Sequence, residues 1–171
     1  MNFFRYVLIM AVFVLMVGCT SEDQTSITYT TVSNETSLRF DTEKLVGAWV
    51  DMWNTYDLSQ VDKLFLTTED VTYFSSEKEG LIIGIDALRE HHVGFGFVAG
   101  GEVQENKLWM EDLHTEMYGP VAVVNGIWYF EKGPADNREL QKGPVTIVYT
   151  RTNDGYRIAH MHFASYEETP Q

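Results

Sequence analysis

Residues 154–166 read DGYRIAHMHFASY, and this stretch decides the fold. Asn153-Asp154-Gly155 is a tight-turn sequence between two β-rich runs, at residues 145–151 and 156–166, so it predicts an antiparallel hairpin. Because side chains alternate along a strand, the second strand would present two different faces. One face would carry Ile158, His160, His162 and Ala164, and the other Arg157, Ala159, Met161, Phe163 and Ser165.

Two further long strands are predicted just upstream of the hairpin. Residues 107–118 and 121–131 are rich in β-forming side chains and are separated by Gly119-Pro120. The polar sequence KGPADNREL, residues 132–140, would connect them to the hairpin. Long strands in succession predict an antiparallel meander.

The first part of the domain predicts helices instead. Asp41 can cap a helix in which apolar side chains recur every three or four residues from Leu45 to Tyr56. The other short elements are a helix at 59–66, β-rich runs at 71–74 and 81–83, and a helix at 86–92 capped by Asp86. Helices followed by long strands predict an α+β domain, in which a curved antiparallel sheet wraps around the N-terminal helices.

The N-terminal residues predict a signal peptide rather than part of the fold. Residues 6–17 form an apolar run that is shorter than the roughly 20 residues a membrane-spanning helix needs but suits the core of a signal peptide. The segment Leu15-Met16-Val17-Gly18-Cys19 resembles the lipobox of bacterial lipoproteins, with Met16 where leucine is commoner. The resemblance implies that residues 1–18 are removed and that Cys19 carries a lipid. An ordinary secretory signal with an incidental cysteine is the alternative.

Composition and the predicted elements indicate how the rest of the chain is organised. Residues 19–39, rich in Ser and Thr, would form a tether, residues 40–167 the folded domain and residues 168–171 a short tail. The lipid would hold the protein in the bacterial cell envelope, on the periplasmic face of the outer membrane in a Gram-negative organism.

Composition narrows the functional classes. The formal net charge of −13 disfavours nucleic-acid binding, because phosphate recognition requires a basic surface. The chain has no P-loop, no dinucleotide fingerprint, no G-x-S-x-G elbow and no pair of cysteines. We therefore predict neither a cofactor nor a metal.

Three groups of motifs within residues 41–166 resemble the SnoaL-like branch of the nuclear-transport-factor-2-like superfamily. They are WNTYD with the following LF and EDVTY, the segment GIDALR, and the pair VAVV and DGYRIAHMH near the end. The resemblance implies a cone, in which the bent sheet encloses the helices and leaves a pocket at the open end. Relatives use this pocket for different chemistry, so the fold alone does not determine the function.

The resemblance also implies which face of the last strand looks into the pocket. By comparison with ketosteroid isomerases and polyketide cyclases, Met161 and Phe163 would face the pocket, whereas His160 and His162 would lie on the convex face. In this superfamily that face commonly packs against a second subunit, so we expect a homodimer. A structural role for the two histidines is the first interpretation, and a metal site and an acid–base role are the alternatives.

The positions that carry catalysis in relatives have lost their charges here. By resemblance, the general base, the pocket tyrosine and the oxyanion-binding aspartic acid of ketosteroid isomerase fall on Ser75, Trp49 and Val145. The cyclase aspartate falls on Phe163, and the arginines of the calmodulin-dependent kinase association domain fall on Asn125, Ile147 and Phe163. Enolate chemistry needs a base and a strong donor, which these side chains do not supply.

The uncharged, largely aromatic side chains expected around the pocket predict that it binds a small, mostly apolar molecule. Its expected residues are Trp49, Trp53, Tyr73, Val145, Ile147, Tyr149, Met161 and Phe163, with Asn125, Tyr129 and Ser75 as hydrogen-bonding groups. One alternative is a cofactor-free hydrolase, isomerase or dehydratase with His160, His162 or His92 as its base. A ligand-free interaction module and a plainly packed core are the others.

Overall fold

A computed structural model describes residues 39–134 and 136–166. The predicted signal peptide, the predicted lipidation site Cys19, nearly all of the predicted tether and the predicted tail lie outside these residues. The elements in chain order are α1 (Thr42–Thr55), a 3-10 turn (Leu58–Gln60), α2 (Val61–Leu64), β1 (Thr72–Phe74), β2 (Ile82–Ile83), α3 (Ile85–Gly94), β3 (Lys107–Tyr118), β4 (Val121–Lys132), β5 (Glu139–Thr152) and β6 (Gly155–Phe163). The predicted α+β class is confirmed.

The six strands form one curved sheet in the order β2-β1-β6-β5-β4-β3. The long strands β3 to β6 pair antiparallel, as predicted. The expectation of a wholly antiparallel sheet is wrong, because the short strand β1 lies parallel to β6. Two parallel strands cannot be joined by a tight turn. Here β1 and β6 need no direct connection, because α3 and strands β2 to β5 lie between them in the chain.

Helix α1 packs its apolar stripe against the concave face of the sheet. The Asp41 side chain accepts a hydrogen bond from the Lys44 N–H at 3.1 Å and caps the helix. The far end is tied to β3, because the Asn54 side chain donates to the Leu108 carbonyl at 2.9 Å and accepts from the Leu108 N–H at 2.6 Å. The buried residues of α1 are Val46, Trp49, Met52 and Trp53.

The cap of α3 differs from the prediction. Gly84, with a φ of 84°, precedes the helix, and no side chain caps it. Asp86 lies in the first turn and pairs with Arg89 instead. A glycine is favoured at position 84, because a side chain would strain a backbone with this positive φ.

Two β-bulges bend the sheet. The first shifts the register of β3 between Glu111 and His114, with Asp112 at a φ of 55°. The second shifts β6 against β5 at Val148 and Tyr149, which moves Ile158 to the concave side, where it is fully buried. Strict alternation along the strand predicts that Ile158 lies on the same face as His160 and His162. This prediction is wrong, because the bulge reverses the alternation.

The segment after β6 crosses the start of β5. The Ala164 N–H donates to the Pro144 carbonyl at 3.1 Å and the Tyr166 N–H donates to the Lys142 carbonyl at 3.0 Å. The crossing passes directly over Gly143, which has no side chain to obstruct it. β5 begins earlier than predicted, at Glu139, because residues 139–144 pair with the end of β4, and the expected polar loop is correspondingly shorter.

Candidate functional site

A cleft opens between α1, the β1–β2 loop and the concave face of the sheet. Its volume open to water is about 50 Å³, several times the roughly 10–15 Å³ that one water molecule needs on the same measure. The lining residues are Trp49, Trp53, Tyr73, Ser75, Ser76, Glu77, Phe95, Leu108, Trp128, Phe130, Gln141 and Phe163. Most of them are aromatic.

The aromatic rings of the cleft pack against one another. Trp49 stacks on Phe163 with centroids 5.3 Å apart, and Trp53 meets the edge of Phe95 at 5.4 Å. Tyr73 lies 5.7 Å from Phe163, and Trp128 contacts the same ring at 6.0 Å. These offset and edge-on contacts are the arrangements that aromatic quadrupoles favour, so they hold the walls of the cleft in place.

Polar groups are few and unevenly distributed. Glu77 is the only charged residue among those lining the cleft, and it lies at the mouth beside Ser75 and Ser76. The Glu77 N–H donates to Ser75 Oγ at 3.1 Å, which shapes this loop. Deeper in, the indole N–H groups of Trp49 and Trp53 are buried and have no hydrogen-bond partner.

Five of the predicted site residues line the cleft: Trp49, Trp53, Tyr73, Ser75 and Phe163. Four others are buried in the surrounding core without lining it: Val145, Ile147, Tyr149 and Met161. Burial raises the pKa of Tyr73 and of Tyr149 far above the ordinary range, so both phenols stay neutral. Tyr149 packs on Phe40 at 5.2 Å, and its hydroxyl has no partner.

Asn125 and Tyr129 do not line the cleft; they lie on the convex face. Asn125 accepts a hydrogen bond from Thr146 Oγ1 at 2.8 Å, and Tyr129 stacks on Trp109 at 5.1 Å. The inward residues of β4 are instead the even-numbered ones, as its alternating burial shows. Trp128 is thus one of seven lining residues that sequence reasoning missed; the others are Ser76, Glu77, Phe95, Leu108, Phe130 and Gln141. No pattern within β4 reveals this phase, because apolar side chains such as Val123 and Ile127 also occupy the outward positions.

The histidine pair of β6 lies on the convex face. His160 Nδ1 and Thr72 Oγ1 are 2.8 Å apart, and His162 is exposed beside the ring of Phe74, at 5.2 Å. Burial, and then the neighbouring His162, lower the pKa of His160. Met161 and Phe163, between and after the histidines, are buried on the opposite side. The cleft contains neither of the two imidazoles.

His92 is the only buried polar or charged residue in the part of the chain described. Its Nδ1 lies 2.8 Å from the Leu88 carbonyl, which can only accept, so Nδ1 carries the proton and Nε2 holds the lone pair. Nε2 is buried without a partner. Burial, and to a lesser extent the adjacent His91, lower the pKa of His92 to about 4, so the ring is neutral at pH 7. It packs behind the cleft, 5.6 Å from Trp53 and 6.0 Å from Tyr73.

Across residues 39–134 and 136–166, no cluster of three His, Cys, Asp or Glu side chains could hold a metal ion. Over the same residues, no helix is both long and apolar enough to cross a membrane.

Solved structures with this fold come from several organisms. A nuclear transport factor 2-like superfamily protein from Salmonella enterica is 20% identical, with a TM-score of 0.62, over 75% of this chain and 91% of that one. A putative dehydratase from the NTF2-like family of Streptomyces avermitilis is 16% identical, with a TM-score of 0.62, over 74% and 95%. A CaMKII hub from S. rosetta is 15% identical, with a TM-score of 0.60, over 73% and 94%. At these identities the likeness concerns the fold alone.

Comparison with curated proteins found no match. The family model described as a SnoaL-like domain matches residues 43–166, which is most of the chain and nearly all of its described part. The protein therefore belongs to the SnoaL-like domain family and has the nuclear-transport-factor-2-like fold.

Proposed function

We propose that the protein binds a small, mostly apolar molecule in the aromatic cleft. The observation that carries this proposal is a cleft of about 50 Å³ walled by tryptophan, tyrosine and phenylalanine rings. Protein interiors leave few voids larger than a water molecule, and an aromatic-lined concavity with a few polar groups is the usual form of a ligand site.

The size of the cleft limits the ligand. Drug-sized ligands occupy pockets of roughly 300–1,000 Å³, and an apolar cavity of about 150 Å³ holds a benzene ring. A cleft of about 50 Å³ therefore accommodates one small group, while the rest of the ligand extends into the mouth beside Ser76 and Glu77.

A thermal-shift screen with matched variants tests the proposal. Small apolar and aromatic compounds should raise the melting temperature of the wild-type chain. Ser75→Trp fills the mouth of the cleft and should abolish the shift, whereas Ser165→Trp, at an exposed position that does not line the cleft, should preserve it. Binding in the cleft would be contradicted if no compound stabilised the wild type. It would also be contradicted if compounds stabilised the wild type and Ser75→Trp equally.

A second candidate function is acid–base catalysis at His92. The observation that favours it is a neutral imidazole whose lone pair on Nε2 is buried and unpartnered behind Trp53 and Tyr73. It ranks second because His92 does not itself line the cleft. Turnover of a hydration, dehydration or isomerisation substrate that is lost in His92→Gln would place this candidate first. Absence of turnover by the wild type would leave binding as the function.

We also propose that Cys19 anchors the protein in the cell envelope and that the domain forms a homodimer through the convex face of its sheet. The anchor is supported by the lipobox-like segment alone. The dimer is supported by half-buried apolar residues such as Val123, Ile127 and Val148 on that face. A mass increase equal to a lipid on the mature N-terminal peptide, absent in Cys19→Ala, tests the anchor.

A further inference from the structure

We infer that the ligand of the cleft is an organic cation, an alkylated ammonium group on a small molecule. The inference rests on the proposed function, because it names the chemical class that the same cleft would bind. Three features lead to it: the aromatic rings that wall the cleft, the single carboxylate at the mouth and the absence of a basic side chain from the lining residues.

The walls supply the first feature. A cation is attracted to the negative face of an aromatic ring, and cages of several rings are the recurring way in which proteins hold quaternary ammonium groups. Here Trp53, Phe95, Phe130 and Phe163 contribute rings to one small cleft. The rings stand at large angles to one another, 65° for Trp53 and Phe95 and 77° for Trp53 and Phe130, so they form separate walls instead of one flat stack.

The charges supply the second and third features. Glu77 is exposed at the mouth, and its carboxylate belongs to no ion pair or side-chain hydrogen bond among the described residues. Glu77 and Phe95 also border an outer groove with Lys78, Glu90 and His91. That groove contains two carboxylates, from Glu77 and Glu90, and one ammonium group, from Lys78, so negative charge predominates in it. The net charge of −13 adds a long-range attraction for cations and a repulsion for anions.

The size of the cleft agrees with an ammonium head. A volume of about 50 Å³ lies between that needed for one water molecule, roughly 10–15 Å³, and the cavity of about 150 Å³ that holds a benzene ring. One or two alkyl groups of the head would therefore enter the cleft, and the remainder of the molecule would pass Glu77 into solvent.

Calorimetric titration of the full-length chain with two isosteres tests the inference. Choline carries a trimethylammonium head, and dimethylbutanol carries a tert-butyl group of the same shape without charge. We expect choline to bind at least about tenfold more tightly. Equal or weaker binding of choline would overturn the cation inference while leaving the proposed pocket intact. No binding of choline, at any accessible concentration, would also overturn the cation inference, and the thermal-shift screen would then decide separately whether the cleft is a pocket.

Two variants separate a local site from general attraction by an acidic protein. Glu77→Gln should reduce choline affinity by about three- to tenfold and leave dimethylbutanol unchanged. Glu79→Gln removes the same charge from the same loop but from a residue outside the cleft, and it should have little effect. Equal losses in both variants would contradict a site at Glu77. Phosphocholine should bind more weakly than choline; tighter binding would contradict a free cation as the ligand and indicate a lipid headgroup.

Discussion

The tryptophans of the cleft differ in what their indole N–H groups contact. Trp128 donates to the Ala164 carbonyl at 2.9 Å, whereas the N–H groups of Trp49 and Trp53 are buried and unpartnered. An unpartnered buried donor costs about 1–3 kcal/mol. Natural proteins keep such unfavourable groups mainly at functional sites, where binding or catalysis requires side chains that do not stabilise the fold.

His92 makes a pH-dependent contribution to stability. Its folded pKa of about 4 lies below the ordinary histidine value of 6.5, so the unfolded chain binds more protons between these pH values. The stabilisation is complete above pH 6.5 and is lost as the pH falls toward 4, by about 3 kcal/mol in total. Urea unfolding at several pH values should show a steeper acid loss for the wild type than for His92→Gln, in which no imidazole titrates. Parallel pH profiles for the two proteins would contradict this assignment. The carboxylates titrate in both proteins, so their contribution cancels when the two pH profiles are compared.

At the residue scale, the family resemblance predicted the inward side chains of β6 correctly and those of β4 wrongly. The family resemblance set the direction of Met161 and Phe163, and the structure buries both. For β4 the same reasoning assigned Asn125 and Tyr129 to the pocket, and both lie on the convex face. A strand has a period of two, so an error of one residue in register exchanges its faces completely.

At the element scale, turn and cap signals predicted the positions of α1, β3 and β4, but they did not predict the start of β5, the cap of α3 or the bulges. Nothing in the residues themselves marks Ala159 as the extra residue of β6. The bulge precedes His160, so the alternation from His160 to Phe163 is undisturbed. The mixed sheet also escaped prediction, because pairing between β1 and β6 depends on contacts far apart in the chain.

Two glycines offer a matched test of the packing between elements. In Gly143→Ala the new methyl group would meet the backbone of Ala164, so the C-terminal segment must move and stability should fall by about 1–3 kcal/mol. In Gly47→Ala, inside α1, nothing lies within 4 Å of the new methyl group, and the gain in helix propensity should stabilise the protein by about 0.5–1 kcal/mol. Chemical denaturation measures both. Equal effects of the two variants would contradict the crossing of the segment over Gly143.

At the scale of the whole molecule, the two faces of the sheet have different roles. The concave face encloses the core and the cleft. The convex face exposes few apolar groups fully but keeps Val123, Ile127 and Val148 half-buried and without a covering layer among the described residues. A sheet face of this kind is suited to packing against a second copy.

The proposed dimer predicts a twofold mass in solution. Light scattering should give the mass of a dimer for the wild type, and Val148→Asp should give a monomer, because it places an unpaired carboxylate in the interface. Val103→Asp introduces the same charge at a fully exposed loop position and should remain dimeric. A monomeric wild type, or a dimer that survives Val148→Asp, would contradict the assigned interface.

The most direct test of the central claim, that the aromatic cleft is a ligand site, is an amide and indole NMR spectrum recorded during titration with a stabilising compound. The chain has four tryptophans, of which Trp49, Trp53 and Trp128 line the cleft, whereas Trp109 stacks on Tyr129 on the convex face. We predict that the three cleft indole signals shift in a saturable manner and that the Trp109 signal stays in place. Shifts confined to Trp109, or no saturable shift in any indole signal, would contradict the claim.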